Sequence, residues 1–110
     1  MRHFVGNRGY EPIRGQRLEP GAPPDVKEGF RIGRELPRDD PRVVAREWNC
    51  GWNLWPDDLP ELREALEAYY NEMIPLARRV VRGLALAPEL PEERFNSFCQ
   101  EETATLRVLR

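Results

Sequence analysis

The chain has 110 residues, enough for one modest core and too few for two domains that each bury their own. Apolar residues make up 40% and charged residues 33%, a mixture that fits neither a membrane span nor a plain disordered tail. A net charge of -2 gives no general attraction to nucleic acid or anionic lipid.

At the start, Arg2, Arg8, Arg14 and Arg17 with Phe4 and Tyr10 between them have the make-up of an RNA-binding arm. Acids follow closely and no recognition module accompanies the arm, so no nucleic-acid partner is expected. "MRHFVGNRGY" has no apolar run of the secretory kind, and nowhere do about 18 uncharged apolar residues follow one another, so no membrane partner is expected either. Cys50 and Cys99 belong to no C-x-x-C pair, which excludes a zinc knuckle or redox pair and leaves a cytoplasmic protein with reduced thiols as the expectation. His3 is the one histidine and has no partner at a meaningful spacing. No catalytic or metal-binding residue is therefore nominated within the chain, and no phosphate-binding glycine loop occurs. The acid pairs Asp39-Asp40, Asp57-Asp58 and Glu92-Glu93 read as solvated turn and helix-start residues rather than as a general acid and base.

Residues 1–56 hold most of the eleven prolines and eight glycines and are predicted to be loop with short extended pieces. Within them "VKEGFRIG", near 26–33, is predicted to be a strand with Val26, Phe30 and Ile32 on one face. Gly29 there marks either a bulge or a place where another backbone comes close. "EWNCGWNLWP" gathers Trp48, Trp52 and Trp55. Two readings stand: a loop whose indoles clasp the long helix that follows, or a stacking platform for a sugar or Pro-rich peptide.

Residues 57–110 change to a period of 3.6. In "DDLPELREALEAYYNEMIPLARRVVRGLALA", Leu62, Leu66, Tyr69, Met73, Leu76 (or Ala77), Val80 and Leu84 recur at steps of three and four and form one stripe of a long helix. Asp57 or Asp58 is the expected cap. Glu61, Glu64 and Glu67 suit its positive end, and Arg78, Arg79 and Arg82 the other. Pro75 is expected to kink the helix and Pro88 to end it. Pro91 opens a short second helix, "PEERFNSFC", with Phe95, Phe98 and Cys99 inward. "TATLRVLR" alternates Ala104, Leu106 and Val108 against Thr105, Arg107 and Leu109, the pattern of a strand, expected to be buried. Two short strands cannot cover so long a stripe, and the exposed apolar surface favours self-association.

In this order, "NRGYEP", "KEGFRIG", "NLWPDDLPELREALEAYY", "RGLALAPELPEERF" and "TLRVLR" resemble the isopenicillin N synthase-like branch of the Fe(II)- and 2-oxoglutarate-dependent oxygenases, over most of the chain. The resemblance implies an α+β fold. It would be a partial jelly-roll (double-stranded β-helix) segment with one long amphipathic helix packed on its outside, a short second helix and few strands, one incomplete domain overall. It implies Fe(II), 2-oxoglutarate and a small-molecule substrate for a complete member. The His-x-Asp, the second His, and the Arg and Ser that hold the cosubstrate's carboxylate lie downstream of the strand where this chain stops. The chain is thus expected to be a truncated oxidoreductase, inactive alone, with no cofactor of its own. The other expectation is a small non-catalytic binding module that docks through the stripe and the Trp loop. The penicillin-forming enzymes use an Arg two residues before the Gly-Tyr pair and a Tyr just after it. The matching positions are Asn7 and Glu11, so that tripeptide is not the expected substrate. Pro88 and Glu89 also depart from the family's usual Leu-Gly.

Overall fold

The computed structural model describes residues 7–17 and 19–110; His3, Arg2 and Phe4 lie outside them. In chain order come β1 (Gly9–Glu11), β2 (Gly29–Gly33), α1 (Pro41–Val44), α2 (Pro60–Leu86), a 3-10 helix (Glu92–Cys99) and β3 (Thr105–Leu109). The strands form one antiparallel sheet in the order β1-β2-β3. Tyr10, Phe30 and Val108 stand opposite one another in one row, and Gly9, Arg31 and Arg107 in the next. Because strand side chains alternate, Tyr10, Phe30, Ile32, Leu106 and Val108 share one face, and Glu11, Arg31 and Arg107 the other. Ile32, on the central strand, is 1% exposed and anchors the core with Leu36 and Ala85.

The strand expected over 26–33 is shorter. Val26 precedes it, 82% exposed, and does not share a face with Phe30 and Ile32. The backbone just before it is otherwise engaged, since Asp25 exchanges hydrogen bonds with Arg14 (3.0 Å) and Gln16 (2.9 Å). Gly29 is no bulge, because the register with β3 runs through it, but a Cβ there would lie 3.1 Å from the Val108 carbonyl oxygen. The close-backbone reading holds. β1 and α1 went unforeseen, both being too short to show a period. Asp40 caps α1 by accepting the Arg42 N–H at 2.9 Å, and the Arg42 guanidinium on the same carboxylate draws its pKa down to about 2. The terminal strand is less buried than expected, with Val108 and Leu109 exposed.

α2 starts at Pro60, whose fixed φ and missing N–H suit a first helical position. Leu59 is the cap residue and makes no side-chain capping bond; Asp57 and Asp58 sit in the preceding turn and do not cap. The helix includes Pro75 and ends in a Schellman arrangement, in which Leu90 N–H reaches the Ala85 carbonyl and Glu89 N–H the Leu86 carbonyl, both at 3.0 Å. Glu89 takes the left-handed position, φ 58°, that favours glycine. Glu89→Gly is therefore expected to stabilise the chain by about 1 kcal/mol, read from the urea midpoint.

The predicted stripe divides. Leu62, Leu66 and Met73 are half-buried, whereas Tyr69, Leu76, Val80 and Leu84 are exposed. The face that packs is Tyr70, Ile74, Val81 and Ala85, roughly a quarter of a turn round. Its neighbours decide this: the 3-10 helix lies against α2, and the Tyr70 hydroxyl donates to the Ala104 carbonyl at 3.1 Å. The second helix is 3-10 rather than α. Phe95 and Cys99 are half-buried, but Phe98 is 74% exposed, with its ring 6.2 Å from that of Phe95 and its outer side uncovered.

Candidate functional site

A buried polar frame holds the sheet to the loop that carries the tryptophans. Asn53 acts as a surrogate strand: its Oδ1 accepts the Gly33 N–H and its Nδ2 donates to the Gly33 carbonyl, each at 2.9 Å. Asn49 joins three segments. Its Oδ1 accepts from Arg8 Nη1 at 2.6 Å, its carbonyl accepts Arg8 Nη2 at 2.9 Å, and its Nδ2 donates to the Thr103 carbonyl and Thr105 Oγ1 at 2.8 Å each. Asn49 stands at φ 62°, a left-handed conformation that asparagine tolerates better than most side chains. Burial lowers the pKa of Arg8 from the ordinary arginine value. Arg8 is thus part of the interior and not of an exposed basic arm.

The tryptophans do not act together. Trp55 lies beside Phe30 (5.7 Å between ring centroids) with the Arg63 guanidinium of α2 at 5.7 Å from its ring. Trp52 carries Arg38 over its ring at 4.7 Å, and Trp48 is 73% exposed. Of the three indoles proposed as a clasp, Trp55 has a side chain of the long helix over its ring, while the ring of Trp52 is met by Arg38 of the preceding loop.

The opposite sheet face concentrates charge. Arg31 and Arg107 stand directly across from each other on β2 and β3, and both reach the Glu11 carboxylate of β1, Arg31 Nη2 at 3.4 Å and Arg107 Nη2 in a shorter ion pair. Arg107 also donates to Gln16 Oε1 at 3.0 Å. On the same face the missing side chain of Gly33 leaves room for Arg8, whose guanidinium a Cβ there would collide with. A cavity of about 460 Å³ runs along β1 and is lined by Asn7, Glu11, Arg31 and Leu54 among others.

The structure therefore brings Asn7 and Glu11, the two positions nominated for substrate contact, to one cavity. It adds Arg31 and Arg107, which the sequence reading passed over. The alternation in "GFRIG" and "TLRVLR" does put each arginine opposite the apolar face of its strand. Only the pairing register brings them to one carboxylate.

The chain matches no protein-family model. It is 41% identical over 106 residues to a 2-oxoglutarate-Fe(II) type oxidoreductase of Aspergillus fumigatus, covering 94% of this chain and 32% of that protein. It is 39% identical over 110 residues to the 2-oxoglutarate-dependent dioxygenase citB of Monascus ruber, covering 96% of this chain and 33% of the relative. A crystal structure of a 2OG-Fe(II) oxygenase family protein from Caulobacter crescentus superposes with a TM-score of 0.73 and 27% identity over 94% of this chain and 33% of that one. The chain belongs to the 2-oxoglutarate- and Fe(II)-dependent oxygenase family. It spans about a third of the length of the curated relatives it matches.

Fe(II) held by two imidazoles and one carboxylate needs two histidines, and these 110 residues contain one. The donors present do not fit that set. None of the α2 helix is long and apolar enough to cross a membrane, nor is any other helix among the described residues.

Proposed function

We propose that this chain is the part of an isopenicillin N synthase-like, Fe(II)- and 2-oxoglutarate-dependent dioxygenase that supplies a wall of the substrate chamber and the helix packed behind it, and that it is inactive without the metal-binding half. The observation that carries the reading is 39–41% identity to such oxygenases over 94–96% of the chain. The two-faced sheet supports it. Leu62 of α2 lies with Tyr10, Phe30 and Val108 on one face, leaving the Glu11–Arg31–Arg107 face for small molecules. Glu11 stands where penicillin-forming enzymes carry tyrosine and is engaged by two arginines, so the substrate differs from their tripeptide. Chemistry on that substrate belongs to donors outside these residues; the role of this chain is to bind and orient.

Mixed with Fe(II) and 2-oxoglutarate, the 110-residue chain is expected to show no metal-to-ligand charge-transfer absorbance and to form no succinate. A polypeptide that continues into a His-x-Asp and a distal His is expected to show both. Stoichiometric ferrous iron on the 110 residues alone would falsify the proposal.

The exposed Tyr69, Leu76, Val80 and Leu84 favour a second reading, a non-catalytic module that associates through this stripe. It expects concentration-dependent sedimentation that Val80→Glu abolishes; a monomer at all concentrations removes it.

A further inference from the structure

Two arginines directly opposite each other in adjacent strands repel, and such pairs destabilise a sheet unless something compensates. Arg31 and Arg107 occupy such a pair, and the compensation within the chain is incomplete. One carboxylate, Glu11, answers two guanidinium groups, and each arginine reaches it through a single Nη2 rather than through the two-pronged contact that arginine and carboxylate prefer. The Nε–H groups of Arg31 and Arg107 are buried and have no acceptor among the described residues. Unpaired buried donors are rare, because each forfeits its hydration without replacement. Among the described residues no second acid is added: Gln16, which also holds Arg107, is neutral, and Glu11 is the one acid lining the cavity beside Arg31. Arg31 and Glu11 line a cavity of about 460 Å³, with Arg107 on the same carboxylate, and such an excess of positive charge with spare planar donors is the reverse of a site for amines or metal cations.

From this arrangement we infer that Arg31 and Arg107 form a carboxylate-binding subsite, with Glu11 as the internal carboxylate that a ligand's carboxylate competes with and displaces. The ligand class is a small organic acid with an apolar body, the acid on the arginine pair and the body toward Leu54 and Pro12. As a statement about substrate, this rests on the oxygenase reading. As a statement about binding, it stands on the pair itself. Glu11 also gives the subsite selectivity, since a neutral molecule cannot repay the ion pairs it breaks.

The test is a titration of the 15N-labelled chain with phenylacetate, followed at the arginine Nε–H signals, with phenylacetamide as the neutral counterpart. Phenylacetate is expected to shift the Arg31 and Arg107 signals and phenylacetamide to leave them in place. Glu11→Gln removes the competitor and is expected to tighten phenylacetate by at least about threefold. Arg107→Gln is expected to abolish the response, and Arg107→Lys, which keeps the charge and loses the fork, to weaken it. The Gly33 amide, held by Asn53, reports that each variant keeps its fold. Running 2-oxoglutarate in parallel separates the two sources of carboxylate: tighter binding than phenylacetate assigns the pair to the 2-oxo acid, weaker binding to the compound oxidised. Equal shifts with phenylacetamide, or unchanged affinity in Glu11→Gln, overturns the inference. If those shifts are absent while a polypeptide carrying the His-x-Asp still forms succinate, the subsite falls and the oxygenase reading stands.

Discussion

Asn49→Ala is expected to cost the folded chain about 2–4 kcal/mol, because hydrogen bonds to a buried guanidinium and to β3 are lost together. The side chain accepts from Arg8 at 2.6 Å and donates to both Thr103 and Thr105, so its removal takes one of the acceptors of a buried guanidinium and cuts the tie between the Trp loop and β3. Alanine at φ 62° adds a backbone penalty of about 1 kcal/mol that glycine would not incur. Three variants separate the contributions in urea unfolding. Asn49→Gly should lose about 1 kcal/mol less than Asn49→Ala. Asn49→Asp keeps an acceptor for Arg8 while losing the donors to β3, and should lose least. A loss of under about 1 kcal/mol in Asn49→Ala would mean that the polar frame is incidental to the fold.

Ile32→Ala is expected to cost about 2–5 kcal/mol. The fully buried apolar set among the described residues is small, Ile32, Leu36 and Ala85, and Ile32 is its one large side chain below 2% exposure. It sits on the central strand between β1 and β3, so a cavity there loosens both pairings at once. Ile32→Val, one methylene smaller, should cost about 0.5–1.5 kcal/mol. Domains have only about 5–15 kcal/mol in hand, so the alanine variant is expected to show a lowered, broadened thermal transition. A melt indistinguishable from the parent would place the core elsewhere.

Several parts of the molecule were legible because they rest on local chemistry. α2 shows its period over 27 residues, its first position is set by a proline, and Pro88 marks where it stops. The terminal strand follows from alternation alone. What escaped did so for identifiable reasons. β1 is three residues long, too short for any period to show, and it exists because β2 offers a partner. Val26 fits the alternation of the strand that follows, yet the Asp25 backbone is already paired with the 14–16 loop. Phe98 has the composition of a core residue and lies outside, 74% exposed, while Phe95 and Cys99 of the same helix, which lies against α2, are half-buried.

The site was half legible. Asn7 and Glu11 were nominated through likeness to a family pattern, and the structure places them on one cavity. Arg31 and Arg107 are 76 positions apart in the chain and look like ordinary outward-facing strand residues; their convergence on Glu11 is a property of the register.

By itself the sequence determined the long helix and its end before Pro88, the strand at Thr105–Leu109, and the shortage of imidazole for a two-histidine iron centre, because these depend on neighbours in the chain or on counting. Which side of α2 packs, that Arg63 of α2 lies over the Trp55 ring, and that two arginines share one carboxylate were decided only by tertiary structure. The reason is geometric: rotating a helix by a quarter turn or slipping a strand by one residue leaves every local preference unchanged while exchanging which side chains meet.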